Sequence, residues 1–201
     1  MKWVVCVFAV LFLVGCGPAK YAVKESTDKF SDPAAPAMFV MDGNTLETDA
    51  SGIAVYGYMD AFVSRDRNSG RVVMIGLEYT RVATSGELIW SGEPKWLAIR
   101  AGDEMVVLAD GERLALKAIS GNIDHVVERT ATGPSTTYYD LGRYSVTAEQ
   151  LLKIANASSL EMKVAGREGS RAIPRAGTKL GANLQQNLRR FYDEQVAPHL
   201  Q

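Results

Sequence analysis

Apolar and polar positions along the chain fall into four regimes. An unbroken apolar run, Trp3 to Val14, follows the lone charge of Lys2. Residues 17–36 then scatter isolated apolar side chains among Gly17, Pro18, Ser26, Thr27, Asp28, Ser31, Asp32, Pro33 and Pro36, the composition of a flexible linker. A short strand around Tyr21 to Val23, packed onto the domain, is the competing reading of that stretch. From Met38 to Val146 the segments alternate or are short and β-branched, and beyond Thr147 the period changes to 3.6.

The third regime predicts a meander of seven or eight strands. Met38-Phe39-Val40-Met41 ends at the turn triplet Asp42-Gly43-Asn44. Ile53 to Val63 and Arg71 to Ala83, separated by a polar run from Ser64 to Gly70, read as a long hairpin. Gly57 and Gly76 inside its strands mark a bulge or a close backbone approach. Glu87 to Ser91, Lys95 to Arg100, Glu104 to Ala109, Glu112 to Ile119 and Ile123 to Thr130 follow, with tight connections that force antiparallel neighbours. Among these, Asp110-Gly111 is the strongest hairpin signal, because a type I′ turn needs positive φ at both central residues. After Thr132-Gly133-Pro134-Ser135, the Thr- and Tyr-rich Thr136 to Val146 predicts one more strand.

Thr147-Ala148-Glu149-Gln150 is a capping box and starts a helix predicted over 148–157. Leu160 to Ala165 reads as a strand ending at Gly166, and 167–177 as polar and irregular. A last helix over 179–196 is predicted from Leu180, Leu184, Leu188 and Phe191, one face of a 3.6-residue repeat that Pro198 ends. Strands that run together and then give way to helices make the fold class α+β: an antiparallel meander with two C-terminal helices packed on one face of the sheet.

The apolar run of 12 residues changes this picture. At about 1.5 Å per residue it reaches ~18 Å as a helix, short of a roughly 30 Å hydrocarbon core, so it reads as a secretory signal. Leu13-Val14-Gly15-Cys16, at its end, resembles the lipobox of bacterial lipoproteins. The resemblance implies that the Cys16 thiol is acylated, that the chain is cut before it, and that the lipid holds the protein in a membrane. Gly17, where an aspartate would retain the protein in the inner membrane, implies the outer membrane, facing the periplasm. The organisation expected is therefore a signal peptide over 1–15, lipidated Cys16 and linker over 16–36, and one α+β domain over 37–201. That domain resembles no characterised family.

Removing the signal leaves 186 residues with 21 basic and 23 acidic side chains. A nearly balanced charge argues against a nucleic-acid partner and offers no polybasic patch to anionic lipid. Cys6 leaves with the signal, so the mature chain has no disulfide and relies on its core.

Candidate chemistry is sparse. GxSxG, HExxH, Walker, CxxC and EF-hand patterns are absent from the mature chain, and His125 and His199 are too few for a three-histidine zinc site. No cofactor and no metal are expected. Asp124-His125 pairs an acid with an imidazole, but neighbours in a strand point to opposite faces. Two constellations read as binding candidates against blander structural roles. Trp90 and Trp96 flank Pro94 as an aromatic shelf, or pack the sheet. Arg167, Arg171 and Arg175, with Lys163 and Lys179, form a basic cluster for phosphate or carboxylate groups, or a solvated loop. The expectation is a non-enzymatic envelope lipoprotein that docks a protein partner or an envelope polymer. The alternative is a hydrolase of envelope material acting through Asp103, Glu104 and Asp110.

Overall fold

Among the described residues eleven strands join in one sheet, with one short helix after the eighth strand and a second after the last. The computed structural model describes residues 21–26, 35–86, 88, 92–94, 96–130 and 133–200. The strands are β1 (Val23–Ser26), β2 (Ala37–Met41), β3 (Thr45–Asp49), β4 (Val55–Arg65), β5 (Val72–Thr84), β6 (Glu104–Ala109), β7 (Glu112–Thr130), β8 (Gly133–Val146), β9 (Leu160–Gly166), β10 (Gly169–Ile173) and β11 (Thr178–Leu180). Their order is β1, β2, β4, β5, β8, β7, β6, β9, β10, with β3 on β4 and β11 on β3, and every pairing is antiparallel.

The β4–β5 hairpin forms as the alternation predicts. Asp66 holds its turn, accepting from the amides of Asn68 (3.1 Å) and Ser69 (2.7 Å). Gly76 is a close approach: a Cβ there would lie 2.1 Å from Phe62 Cζ. Gly57 sits where β3 slips register between Thr45 and Glu47, the bulge its missing side chain allows. At the β6–β7 turn Asp110 and Gly111 have φ of 50° and 81°, the type I′ geometry.

Several expectations need correcting. The stretch 16–36 is not wholly a linker: Val23–Ser26 pairs with β2, Lys24 pairs with Asp42, and the Tyr21 hydroxyl donates to Glu194 Oε2 at 3.2 Å. β2 would otherwise present a bare edge. Asp42-Gly43-Asn44 does not reverse the chain, because Phe39 lies opposite Val63 and Thr45 opposite Tyr58, so β2 and β3 run end to end along β4. Ser120-Gly121-Asn122 does not break β7, which passes through it with a bulge after Ala118. Residues 96–100 form an irregular strap rather than a strand, and Ser85, Gly86 and Leu88 are helical, while most of Glu87 to Ser91 lies outside the described residues. Finally, 167–177 is not irregular throughout, since Gly169–Ile173 closes a hairpin onto β9.

Helix α1 (Ala148–Asn156) starts at the predicted box: Gln150 N donates to Thr147 Oγ1 (3.1 Å) and Thr147 N to Gln150 Oε1 (2.9 Å). Helix α2 (Leu184–Phe191) begins later than predicted, because Thr178–Leu180 is drawn into pairing with β3. It runs on through a π turn, Tyr192–Val196, and a 3₁₀ turn, Ala197–His199. Leu151, Ile154, Leu184, Leu188, Phe191 and Val196 join the strand residues Met59, Leu77, Leu116 and Met162 in one buried cluster.

Candidate functional site

One face of β5 carries Leu77, Tyr79, Arg81 and Ala83, and the β5–β8 register sets Tyr144, Gly142, Asp140 and Tyr138 opposite them. Arg81 therefore stands at a core position, 1% exposed, across from an equally buried Asp140. Burying this pair is costly unless hydrogen bonds satisfy its polar atoms, and of the pair's buried side-chain atoms Arg81 Nε alone lacks a partner among the described residues. Arg81 Nη1 donates to Pro94 O (2.9 Å) and contacts Asp140 Oδ2 (3.4 Å), and Nη2 donates to Glu93 Oε2 (3.0 Å). The other sides of the Asp140 carboxylate accept the amides of Leu97 (2.8 Å) and Ala98 (3.2 Å).

These last two bonds create the strap. Leu97, Ala98 and Ile99 are buried, with Ala98 at φ 57°. The strap takes the room left by missing side chains on three strands. A Cβ on Gly121 of β7 would lie 2.1 Å from Ile99 O, one on Gly166 of β9 2.1 Å from Leu97 O, and one on Gly142 of β8 3.0 Å from the Ile99 side chain.

A second set of charges joins the far end of the sheet to its beginning. Arg171 on β10 donates through Nη2 to Glu47 Oε2 on β3 (2.7 Å) and through Nη1 to Tyr56 O on β4 (3.3 Å). Glu47 Oε1 also accepts from Arg175 N (2.8 Å) and the Thr178 hydroxyl (2.5 Å). Glu93 links the two sets, with Oε1 3.6 Å from Arg171 Nε and 3.5 Å from Arg175 Nη1. Three guanidinium groups thus face three carboxylates. Tyr79 lies among them, and burial, opposed by the nearby Arg171 and Arg81 charges, pushes its hydroxyl up to about 12. Burial likewise raises Tyr144. Both hydroxyls stay neutral at ordinary pH.

Of the predicted site residues, Arg171 and Arg175 come together around Glu47 and Glu93, and the other described ones lie apart from them. Arg171 is buried against Glu47, Arg175 stacks over the Tyr56 ring (4.6 Å), and Arg167 is exposed and pairs with Asp103 (3.3 Å). The three arginines do not form one anion-binding surface, because alternation along β10 turns Arg171 inward. Lys163 and Lys179 are exposed on β9 and β11. Trp96 is half-buried and meets Tyr138 edge-on (4.8 Å) with His125 beyond (6.4 Å), whereas Trp90 and Cys16 lie outside the described residues. His199 is half-buried in the final 3₁₀ turn.

The proposed acids are occupied separately. Asp103 accepts from Arg100 N (2.9 Å), Glu104 binds Arg113 (2.8 Å) and Lys117 (3.0 Å), and Asp110, at the other end of β6, accepts from the amides of Ser158 (2.9 Å) and Ser159 (2.8 Å). Among the described residues no cluster of His, Cys, Asp and Glu has the geometry to hold a metal.

Known proteins offer no parallel: no family model, no curated protein and no solved structure matches the chain. The reading of the site rests on its own geometry.

Sequence reasoning missed Arg81, Glu47, Asp140 and Asp60. Parity would have found Arg81, which alternates with Leu77, Tyr79 and Ala83, and an arginine at core spacing announces a buried partner. Beyond its pairing with β6, β7 continues with β8 as a two-stranded arm. From Ile119 to Arg129 every residue of β7 is exposed, with Ile123 at 41% and Val127 at 59%.

Proposed function

We propose that this protein is a lipid-anchored lipoprotein of the cell envelope, a non-enzymatic module that docks a partner from the end of a short tether. The observation that carries the reading is Leu13-Val14-Gly15-Cys16 at the end of a 12-residue apolar run. Acyl chains on Cys16 bind by burying CH₂ groups at about 0.8 kcal/mol each, and several chains together fix the protein in its bilayer. Gly17 favours the inner leaflet of the outer membrane. Residues 17–22 then join the anchor to β1.

A docking role is supported by where the charged groups are spent. Arg81, Arg171 and Arg175 are engaged with Glu47, Glu93 and Asp140, and Asp103, Glu104 and Asp110 each hold a separate structural partner. The two C-terminal helices, packed on one face of the sheet, support a scaffold that leaves the β7–β8 arm as its contact surface.

Metabolic labelling with a tagged fatty acid tests the anchor. The wild type should carry label and fractionate with the outer membrane, Cys16→Ser should carry none, and Gly17→Asp should move to the inner membrane. An unlabelled wild type would overturn the reading.

A further inference from the structure

β7 parts from β6 beyond the Lys117–Glu104 pair, while its other side stays laddered to β8 as far as Thr130. From Ile119 to Arg129 the edge away from β8 pairs with no strand among the described residues. At about 3.3 Å per residue this edge is roughly 35 Å long. Natural proteins blunt such edges with charges, above all lysine, with proline or with a covering element; this segment has no lysine or proline, and its charges are Asp124, Glu128 and Arg129. Its main-chain donors and acceptors are a template for one more strand.

Its side chains specify which strand. Ile123, His125 and Val127 stand opposite Asp140, Tyr138 and Thr136, which puts them on the inner face beside Trp96. Asn122, Asp124, Val126 and Glu128 stand opposite Leu141, Tyr139, Thr137 and Ser135, on the outer face. An added strand meets Ile123 and Val127 flanking His125 on one side, and the carboxylates of Asp124 and Glu128 flanking Val126 on the other. The Asp124 carboxylate accepts only from the His125 amide (2.7 Å) among the described residues.

We propose that the β7 edge binds an extended polypeptide segment in which apolar residues alternate with lysine or arginine, taken up as an additional strand. The apolar residues fall beside Ile123 and Val127, and the cations fall beside Asp124 and Glu128. A second copy of this chain fits less well. Paired about His125, it sets Ile123 against Val127 but leaves Asp124 opposite a valine and Glu128 opposite an asparagine. This deepens the docking role proposed above and rests on it for the existence of a partner.

The test uses the full-length protein in detergent micelles and three synthetic peptides of about eleven residues. One alternates Val and Lys, one is the same peptide with alternate backbone amides N-methylated, and one alternates Val and Glu. The Val-Lys peptide should bind and slow hydrogen exchange of β7 amides between residues 120 and 129. N-methylation should abolish this, and the Val-Glu peptide should bind roughly tenfold more weakly, since facing charge rows act additively. In the double variant Asp124→Lys, Glu128→Lys, whose positions are exposed, the preference between the two charged peptides should reverse. Absence of Val-Lys binding, equal binding of the N-methylated peptide, or an unreversed preference would each overturn the proposal. So would β7 protection that appears without peptide and grows with protein concentration, which assigns the edge to a second copy. Acylation is read separately, so an unanchored protein that still binds the Val-Lys peptide loses the membrane reading and keeps this one.

Discussion

Asp60 is the residue with the most to say about pH. It is 8% exposed on β4, accepts the Asn44 amide at 2.7 Å, and lies opposite Glu78. Burial pushes its carboxyl from 3.8 to about 7, against the pull of the Asn44 and Gly43 amides. The folded state therefore holds this proton where the unfolded chain has released it. Stability from this group is greatest below about pH 4, falls as pH rises towards 7, and is level above. Holding the proton that far above the ordinary carboxylate range costs the folded state at most ~4 kcal/mol at neutral pH. Asp60→Asn, which keeps an oxygen for the Asn44 amide, should be about 1–3 kcal/mol more stable than wild type at pH 8 and indistinguishable from it at pH 3.5. Urea melts across that range check the sign. Gly121 makes a steric prediction: with Ile99 O only 2.1 Å from where a Cβ would stand, Gly121→Ala should cost ~2–4 kcal/mol. Gly86→Ala, where no atom of the described residues lies within 4 Å of a Cβ, is the control and should change the melting midpoint little.

At the scale of elements, α2 tests how the tail is held. Leu184, Leu188 and Phe191 are each no more than 1% exposed, in one cluster with α1 and the strands. Leu188→Ala should cost about 2–5 kcal/mol, through lost transfer energy and the cavity it leaves. A midpoint unchanged from wild type would make α2 a surface element instead. The pattern that made this helix legible also hid its start. Leu180 fits the same 3.6-residue stripe as Leu184 and Leu188, yet residues 178–180 are claimed by β3, because Gly181 lets Thr45 approach within 2.0 Å of a Cβ position. Strand boundaries were legible where turns demand positive φ, as at Asp110-Gly111. They were illegible where a glycine serves a neighbour's backbone, as Gly121 does for the strap.

For the whole molecule, the N-terminal strand and the buried charges decide how the sheet ends. A fragment beginning at Tyr21 keeps β1, its ladder to β2 and the Tyr21 bond to Glu194, and should unfold in one cooperative transition. A fragment beginning at Met38 loses these contacts and bares β2, and should melt about 3–6 °C lower and associate at high concentration. Equal melting temperatures by calorimetry would return 21–26 to the tether. At the opposite end of the sheet, Arg171 bonds Glu47 and the Tyr56 carbonyl. Side chains thus bring β10 back to β3 and β4 without a strand ladder.

The sequence by itself determined the local and the covalent: the apolar run and its cysteine, the β4–β5 and β6–β7 hairpins, the capping box at Thr147, and a long run of strands before the first helix. Each of these depends on residues within a few positions of one another, so spacing and turn chemistry suffice to read them. Tertiary structure alone decided that β2 and β3 lie end to end, that Leu97–Ile99 thread over Gly121, Gly142 and Gly166, and that Arg171 faces inward to Glu47, 124 residues away. Those outcomes depend on which distant groups satisfy a buried amide or charge. No periodicity records such a choice, because burial and pairing are set only when the strands come together.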